Sequence, residues 1–155
     1  MNLLVTGAFS WTRDELAELK SLGHNVVFMQ HEKDKLPCKA DWVEGIIGNG
    51  IFLTHPIESF TSLKYIQLTS AGYDRVPMEY IKKHHIQIFN ARGVYSIPMA
   101  EFAVWGVLSL YKKSHFFVKN QAEKQWVKNR DLLELFNKTI CIIGCGSVGT
   151  ECAKR

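Results

Sequence analysis

The feature that constrains this chain most is a glycine-rich turn near its last residue. Residues 140–143, Ile-Cys-Ile-Ile, form an apolar run that predicts a buried parallel strand. The run leads into Gly144-Cys145-Gly146-Ser147-Val148-Gly149, and the residues after it have helical character. A strand, this glycine spacing and a helix, in that order, are the fingerprint of a dinucleotide-binding βαβ unit.

Each residue of the turn has a predicted role. Gly144 permits a tight turn, Gly146 lets the backbone approach a pyrophosphate, and Gly149 permits close packing of the helix on the strand. With Ser147 and Val148 they form the candidate cofactor-binding set, at a helix N-terminus that suits phosphate groups. The acidic residue that binds the ribose stands about 20 positions further on, past the end of this sequence. We therefore expect the beginning of a nucleotide-binding domain, with an incomplete site.

Composition and charge exclude several classes of protein. Of the 155 residues 46% are apolar and 22% are charged, which is typical of a globular domain. The net charge of +4 comes without a stripe of Lys and Arg, so we expect no nucleic-acid partner. The longest apolar run, residues 97–111, contains Glu101 and is too short to span a bilayer. Residues 1–11 lack the features of a secretory signal, so we expect a cytoplasmic protein without membrane contact.

The cysteines give no indication of a metal site or of disulfides. They are Cys38, Cys141, Cys145 and Cys152, and no histidine stands near them at a spacing typical of zinc sites. We expect reduced thiols and no bound metal, as in most cytosolic proteins.

Residues 1–90 alternate between strand and helix patterns. Apolar, β-branched runs predict five strands, at 3–6, 25–29, 45–48, 65–68 and 87–89. Thr12 and Glu15 have the spacing of a capping box that opens a helix, and Pro77 is typical of the start of another. Strands that alternate with helices predict an α/β fold with a doubly wound parallel sheet.

Two short loops follow the third and fourth predicted strands. They are Gly48-Asn49-Gly50 and Ser70-Ala71-Gly72, and ligands of parallel sheets bind at the carboxyl ends of strands. Small residues with free backbone N–H groups suit a carboxylate or a phosphate, so Asn49, Gly50, Ala71 and Gly72 are candidate substrate-binding residues. Short turns also require glycine for purely structural reasons, and the pattern alone leaves both interpretations open.

A long helix is predicted to follow the fifth strand. Ser96 is a predicted N-cap, and residues 97–111 are apolar around most of the helix circumference, which predicts burial on most sides. The polar residues that follow contain no strong helix breaker, so the helix is expected to extend to about Ala122.

Four blocks of the sequence, in this order, resemble the D-isomer-specific 2-hydroxyacid dehydrogenases. The blocks are Gln67–Asp74, Asn90–Gly93, Met99–Ala103 and Glu134–Thr139, the last leading into the glycine turn. The resemblance implies a flavodoxin-like substrate domain at 1–95, an interdomain helix region at 96–130 and the beginning of a Rossmann domain for NAD or NADP at 131–155.

The resemblance also implies roles for individual residues. It implies that the backbone amides of Ala71 and Gly72 bind the substrate carboxylate, that the Gly146–Gly149 turn contacts the pyrophosphate, and that Met99 lies near the coenzyme. The arginine, glutamate and histidine that carry catalysis in the family belong to its second half. None of the six histidines of this sequence occupies the matching position. We therefore expect no catalytic residue here, and a truncated member that is inactive alone because it lacks a general acid/base.

Three functions are compatible with the sequence. The first is the N-terminal part of an NAD-dependent dehydrogenase that interconverts a D-2-hydroxy acid and a 2-oxo acid. The second is a non-catalytic flavodoxin-like remnant that binds a small carboxylate or a protein. The third is a receiver-like or flavin-binding domain, although no acidic cluster follows the first strand as it would in a receiver. An apolar strand at 140–143 without neighbours would be an exposed edge, so we expect a homodimer that covers it and the 97–111 helix.

Overall fold

The computed structural model describes all 155 residues, and the chain folds into two compact units, residues 1–92 and residues 93–155. The first unit contains a β-sheet with helices, and the second contains helices and irregular segments. None of the helices combines the length and the apolar character that crossing a bilayer requires.

The first unit is built on a five-stranded parallel sheet. Its strands are β1 (Asn2–Thr6), β2 (Asn25–Met29), β3 (Gly45–Gly48), β4 (Tyr65–Leu68) and β5 (Gln87–Phe89). The order across the sheet is β2-β1-β3-β4-β5, which is the order of flavodoxin-type sheets. The predicted α/β fold with a parallel sheet is confirmed, and β1 alone begins one residue earlier than predicted.

The core of this unit lies on both faces of the central strands. Leu4 and Val5 of β1, Ile46 of β3 and Ile66 of β4 are at most 1% exposed. Strands that are buried on both faces have continuous apolar runs, which is why the sequence pattern located them. The helices and turns add Ile51, Ile57, Phe60 and Ile81 to this core.

The helices of the first unit are short. The first, α1 (Arg13–Ser21), begins with the predicted capping box: the Glu15 N–H donates to Thr12 Oγ1 at 3.2 Å, and the Thr12 N–H donates to Glu15 Oε2 at 2.7 Å. The second, α2 (Met78–Lys83), follows Pro77. Between β3 and β4 the chain also forms a single 3₁₀ turn at Ile57–Ser59.

The second unit contains three helices. They are α3 (Ser96–Tyr111), α4 (Ser114–Ala122) and α5 (Ser147–Lys154). The predicted continuous helix to Ala122 is interrupted at Lys113, whose left-handed conformation (φ 49°, ψ 45°) separates α3 from α4. Ser96 is the first helical residue, and the N-cap is Tyr95.

Two further predictions for the second unit are wrong. Residues 140–143 do not form a strand: Ile140 is 63% exposed and Ile143 is 99% exposed. The reason is that a parallel strand needs a neighbouring strand for its N–H and C=O groups, and this unit contains no other strand. Helix α3 is not buried on most sides either, since Phe102, Trp105 and Leu110 are all more than half exposed. The few elements that pack on α3 leave most of its circumference uncovered.

Candidate functional site

The carboxyl ends of β3, β4 and β5 bring three loops side by side. The Thr69 N–H donates to the Gly48 carbonyl at 2.9 Å, which joins the loop after β4 to the end of β3. The Ala91 N–H donates to the Ser70 carbonyl at 2.9 Å, which joins the loop after β5 to the loop after β4. The structure therefore places the two predicted substrate-binding loops next to each other at one edge of the sheet.

The loop after β4 presents two backbone donors to solvent. Ala71 and Gly72 are exposed, and no group of the chain accepts a hydrogen bond from either backbone N–H. A pair of consecutive backbone N–H groups without internal acceptors is suited to an anion such as a carboxylate. The substrate-binding role of these two residues stays a prediction.

Asn90 fixes the orientation of this loop. Its side-chain Nδ2 donates to the Ala71 carbonyl at 2.7 Å, and its side-chain Oδ1 accepts from the Arg92 N–H at 3.3 Å. The Ala71 carbonyl and the Gly72 N–H belong to the same planar peptide group and point in opposite directions. By binding the carbonyl, Asn90 therefore directs the Gly72 N–H away from itself. Sequence reasoning assigned Asn90 no role, although its position just after β5 places it at this edge.

The loop after β3 is arranged differently, because it already holds a carboxylate. Glu32 Oε1 accepts from the Asn49 N–H at 2.7 Å and from Thr6 Oγ1 at 2.8 Å, and Glu32 Oε2 accepts from the Gly50 N–H at 2.7 Å. The Asn49 and Gly50 amides thus do bind a carboxylate, but it is one that belongs to the chain. A substrate carboxylate could bind them only if Glu32 moved away.

Glycine at position 48 makes this arrangement possible. A Cβ atom at Gly48 would lie 2.6 Å from Glu32 Oε1 and 2.9 Å from Thr6 Oγ1, so any larger residue would push the carboxylate out. Sequence reasoning missed Glu32 because it lies in an irregular polar segment. Its location shortly after β2, at the same edge as β3, was the one available signal.

Beside Glu32 lies an open groove of about 690 Å³. Its charged lining consists of Glu32, Lys33, Asp34 and Arg75, with His31 next to them. The Arg75 guanidinium is shared with a neighbouring carboxylate, since its Nε lies 3.7 Å from Asp74 Oδ2. The groove therefore carries both signs of charge and has no excess of cations that would favour a phosphate.

The glycine turn in the second unit has the tight turn and the close approach that glycine permits, but no strand leads into it. Gly144 has a φ of +100°, which favours glycine. A Cβ atom at Gly149 would collide with the Gly144 carbonyl oxygen, whereas one at Gly146 would meet nothing within 4 Å. Gly146 is the N-cap of α5, and no group of the chain accepts from the N–H groups of Ser147 and Val148. An open N-cap and free amides at the start of a helix fit a dinucleotide pyrophosphate.

The remaining predicted site residue, Met99, lies in the first turn of α3 and is 55% exposed.

The four cysteines are free thiols, and burial raises the pKa of the Cys38 thiol. The structure contains no group of three or more His, Cys, Asp or Glu side chains placed to hold a metal ion.

Comparison with known protein families gives a match over most of the chain. Residues 4–129 match the D-isomer specific 2-hydroxyacid dehydrogenase catalytic domain. The chain is 31% identical over 100 residues to D-3-phosphoglycerate dehydrogenase of Archaeoglobus fulgidus, with 64% of this chain and 19% of that protein covered. It is 30% identical over 100 residues to hydroxypyruvate reductase of Thermotoga maritima, with 64% and 33% covered. The aligned region thus spans a fifth to a third of these relatives.

Solved structures share the fold at lower identity. D-lactate dehydrogenase from Aquifex aeolicus, complexed with NAD and lactic acid, superposes with a TM-score of 0.81 at 19% identity, with 99% of this chain and 47% of that chain covered. NAD-dependent formate dehydrogenase from Staphylococcus aureus, in complex with NAD, gives 0.79 at 21% identity, with 99% and 52% covered. The chain spans about half the length of these proteins.

Proposed function

The chain belongs to the D-isomer specific 2-hydroxyacid dehydrogenase family, and we propose that it supplies the substrate-binding part of an NAD-dependent enzyme that interconverts a D-2-hydroxy acid and its 2-oxo acid. The observation that supports this most strongly is the pair of exposed backbone N–H groups at Ala71 and Gly72. The relatives that share the fold include a D-lactate dehydrogenase solved with lactic acid.

In this proposal the loop after β4 anchors the acid. The substrate carboxylate accepts hydrogen bonds from the Ala71 and Gly72 amides, and Asn90 keeps the shared peptide group in the binding orientation. Two charge-assisted hydrogen bonds contribute about 2 kcal/mol each, and the lost freedom of the bound acid offsets part of this sum, so we expect a Kd no tighter than about 1 mM. The loop after β3 borders the bound acid and does not compete for its carboxylate.

The second unit contributes the start of the coenzyme site. We assign 1–95 to the substrate domain, 96–130 to an interdomain region and 131–155 to the beginning of the NAD-binding domain. The Gly146–Gly149 turn would hold the pyrophosphate, and Met99 would line the coenzyme site. NAD or NADP, when bound, supplies the hydride acceptor. No catalytic residue is assigned within the 155 residues, so the chain alone is proposed to be inactive.

We also propose that two copies of the chain associate through the second unit. Exposed apolar side chains are concentrated there, with Phe102 70%, Leu110 80% and Ile143 99% exposed. Large exposed apolar patches of this kind are typical of interaction sites. Sedimentation analysis should give a dimer, and a monomer at all concentrations would contradict this assignment.

A second candidate function is a non-catalytic remnant that binds a small carboxylate or a protein. The observation that favours it is that residues 140–143, which should begin the coenzyme sheet, do not form a strand. It differs from the first proposal in leaving no role for the glycine turn.

Calorimetric titration tests the first proposal against a remnant that binds a protein. Pyruvate and NADH are titrated separately into the purified 155-residue protein and into the Gly72→Val variant. The added Cβ atom meets only the Asp74 side chain, which is exposed and can move away, so the variant should fold. The matched control is Gly106→Val, where a Cβ meets nothing within 4 Å.

The proposal predicts weak pyruvate binding that is lost in Gly72→Val and retained in Gly106→Val, without NADH binding. Micromolar NADH binding would contradict an incomplete coenzyme site. Absence of binding for both ligands would contradict the proposal and favour the remnant.

A further inference from the structure

Glu32 occupies an anion-binding cradle immediately beside the proposed substrate loop. We propose that Glu32 is a built-in carboxylate ligand that determines substrate specificity: it closes the β3 loop to free anions and disfavours acids with a second negative charge. The specificity part of this inference rests on the function proposed above. The substrate class it selects is a monocarboxylic 2-hydroxy or 2-oxo acid with an uncharged substituent.

The contacts of Glu32 are those of a bound ligand. Both carboxylate oxygens are engaged by consecutive backbone amides, Asn49 and Gly50, at 2.7 Å each, and Thr6 Oγ1 donates at 2.8 Å. N–H donors at this distance from a carboxylate are in the range of strong, charge-assisted hydrogen bonds. Because Glu32 is tethered to the chain, its effective concentration at the cradle far exceeds that of any free anion.

The position of the cradle relates it to the substrate. Strands β3 and β4 are hydrogen-bonded neighbours, with Gly48 opposite Leu68, and the loops that follow them are joined by the Thr69–Gly48 hydrogen bond. Neighbouring strands lie roughly 4.8 Å apart. An acid held by the Ala71 and Gly72 amides can therefore direct its substituent along this edge toward Glu32.

A negatively charged substituent of an acid bound at the loop after β4 would be repelled by the Glu32 carboxylate. The donors to Glu32 are the neutral amides and hydroxyl named above, so its negative charge is not cancelled by a paired cation. The two cations that line the same groove, Lys33 and Arg75, form no ion pair with Glu32, and the Arg75 Nε lies 3.7 Å from Asp74 Oδ2. Placing like charges next to each other at a binding site penalises the wrong ligand, and we expect about tenfold weaker binding of a dicarboxylate at this solvent-exposed edge.

Residue-resolved NMR titration tests this with two matched ligands. D-lactate and D-malate differ by one carboxylate, and each is titrated into the natural protein, Glu32→Ala and Glu32→Gln. In the natural protein D-lactate should shift the Ala71 and Gly72 amide signals, and D-malate should bind about tenfold more weakly. In Glu32→Ala the preference should disappear, and D-malate should also shift the Asn49 and Gly50 amides.

Glu32→Gln serves as the control for loop structure. Glutamine keeps the size of the side chain and one oxygen acceptor but removes the charge, so it too should lose the discrimination against D-malate. An unchanged ratio of the two affinities in both variants would overturn the inference. So would a natural protein that binds D-malate as tightly as D-lactate.

Acetate titrated into Glu32→Ala separates this inference from the proposed function. A saturable shift of the Asn49 and Gly50 amides supports a cradle that Glu32 normally fills, and the absence of a shift overturns it. If neither D-lactate nor D-malate shifts the Ala71 or Gly72 amide signals in any of the proteins, the proposed function is wrong. The proposed role of Glu32 in substrate specificity is then wrong as well. The acetate result still decides whether Glu32 is a built-in ligand.

Discussion

Removing the side chain of Asn90 should weaken carboxylate binding without unfolding the sheet. Asn90 is half-buried, and its amide donates to the Ala71 carbonyl at 2.7 Å. In Asn90→Ala this peptide group loses the contact that orients it, and the Gly72 N–H no longer points steadily toward the ligand. The fold itself loses two neutral hydrogen bonds, the one to the Ala71 carbonyl and the one from the Arg92 N–H, a net cost of about 2 kcal/mol.

The effect on binding follows from the same contact. A charge-assisted hydrogen bond contributes about 2 kcal/mol, and loss of orientation should remove about half of that. Since 1.4 kcal/mol corresponds to tenfold, the Kd for pyruvate should rise about fivefold. The titration is followed by NMR at the Ala71 and Gly72 amides, and urea unfolding gives the free energy of unfolding of the same samples.

Asn90→Asp is the matched variant. Aspartate keeps the size of the side chain and the acceptor for the Arg92 N–H, but it cannot donate to Ala71 and would set a negative charge against that carbonyl oxygen. It should weaken pyruvate binding more than Asn90→Ala does, by about tenfold or more. Unchanged pyruvate affinity in both variants would refute the orienting role of Asn90.

Three further perturbations test other parts of the structure. Ile66→Ala removes a side chain with 0% exposure and should lower the free energy of unfolding of the first unit by about 3 kcal/mol, measured by urea denaturation, against about 1 kcal/mol for Ile66→Val. Gly149→Ala places a Cβ against the carbonyl of Gly144 and should speed hydrogen exchange in α5 strongly, whereas Gly146→Ala, whose Cβ meets nothing, should speed it only by the smaller cost of alanine at an N-cap. The Lys64 ammonium, 2.9 Å from Glu44, and a backbone N–H hold the pKa of that carboxyl below its usual value. The stabilisation that the Glu44–Lys64 pair gives the fold is therefore present above the usual carboxyl pKa of about 4.3 and is lost as the pH falls through the lowered pKa. In Lys64→Met the urea midpoint should therefore fall less steeply below about pH 4 than it does in the natural protein.

The sequence predicted the fold of the first unit closely because its strands are buried on both faces. Continuous apolar runs around Leu4, Ile46 and Ile66 marked the central strands, and turn residues marked their ends. The capping box was also predictable, because it depends only on Thr12 and on Glu15 three residues later. Each of these features depends on residues that are adjacent in the sequence or one helical turn apart.

The same reasoning failed where an element depends on distant partners. Residues 140–143 have the pattern of a buried strand, yet a strand forms only when another strand pairs with it. Helix α3 is apolar around its circumference, and no periodicity reveals whether anything covers Phe102 or Leu110. The sequence pattern shows which face of an element is apolar, but it does not show whether another part of the structure covers that face.

The candidate site was predicted in part for a related reason. The glycine-containing loops at Ala71–Gly72 and Asn49–Gly50 were visible from their positions after strands. Glu32 and Asn90 were not, because their roles arise from contacts across the sheet edge, 17 residues from Asn49 and 19 residues from Ala71 respectively. The strand order brings these side chains together, so their roles emerge only with the tertiary structure.

The most direct test of the central claim is whether the Ala71 and Gly72 amides bind the carboxylate of a 2-oxo acid. Pyruvate and its neutral analogue pyruvamide are titrated into the 155-residue protein while the backbone amide signals are followed by NMR. The account predicts saturable shifts at Ala71 and Gly72 with pyruvate and none with pyruvamide. Equal shifts with both ligands, or pyruvate shifts confined to other residues, would contradict it.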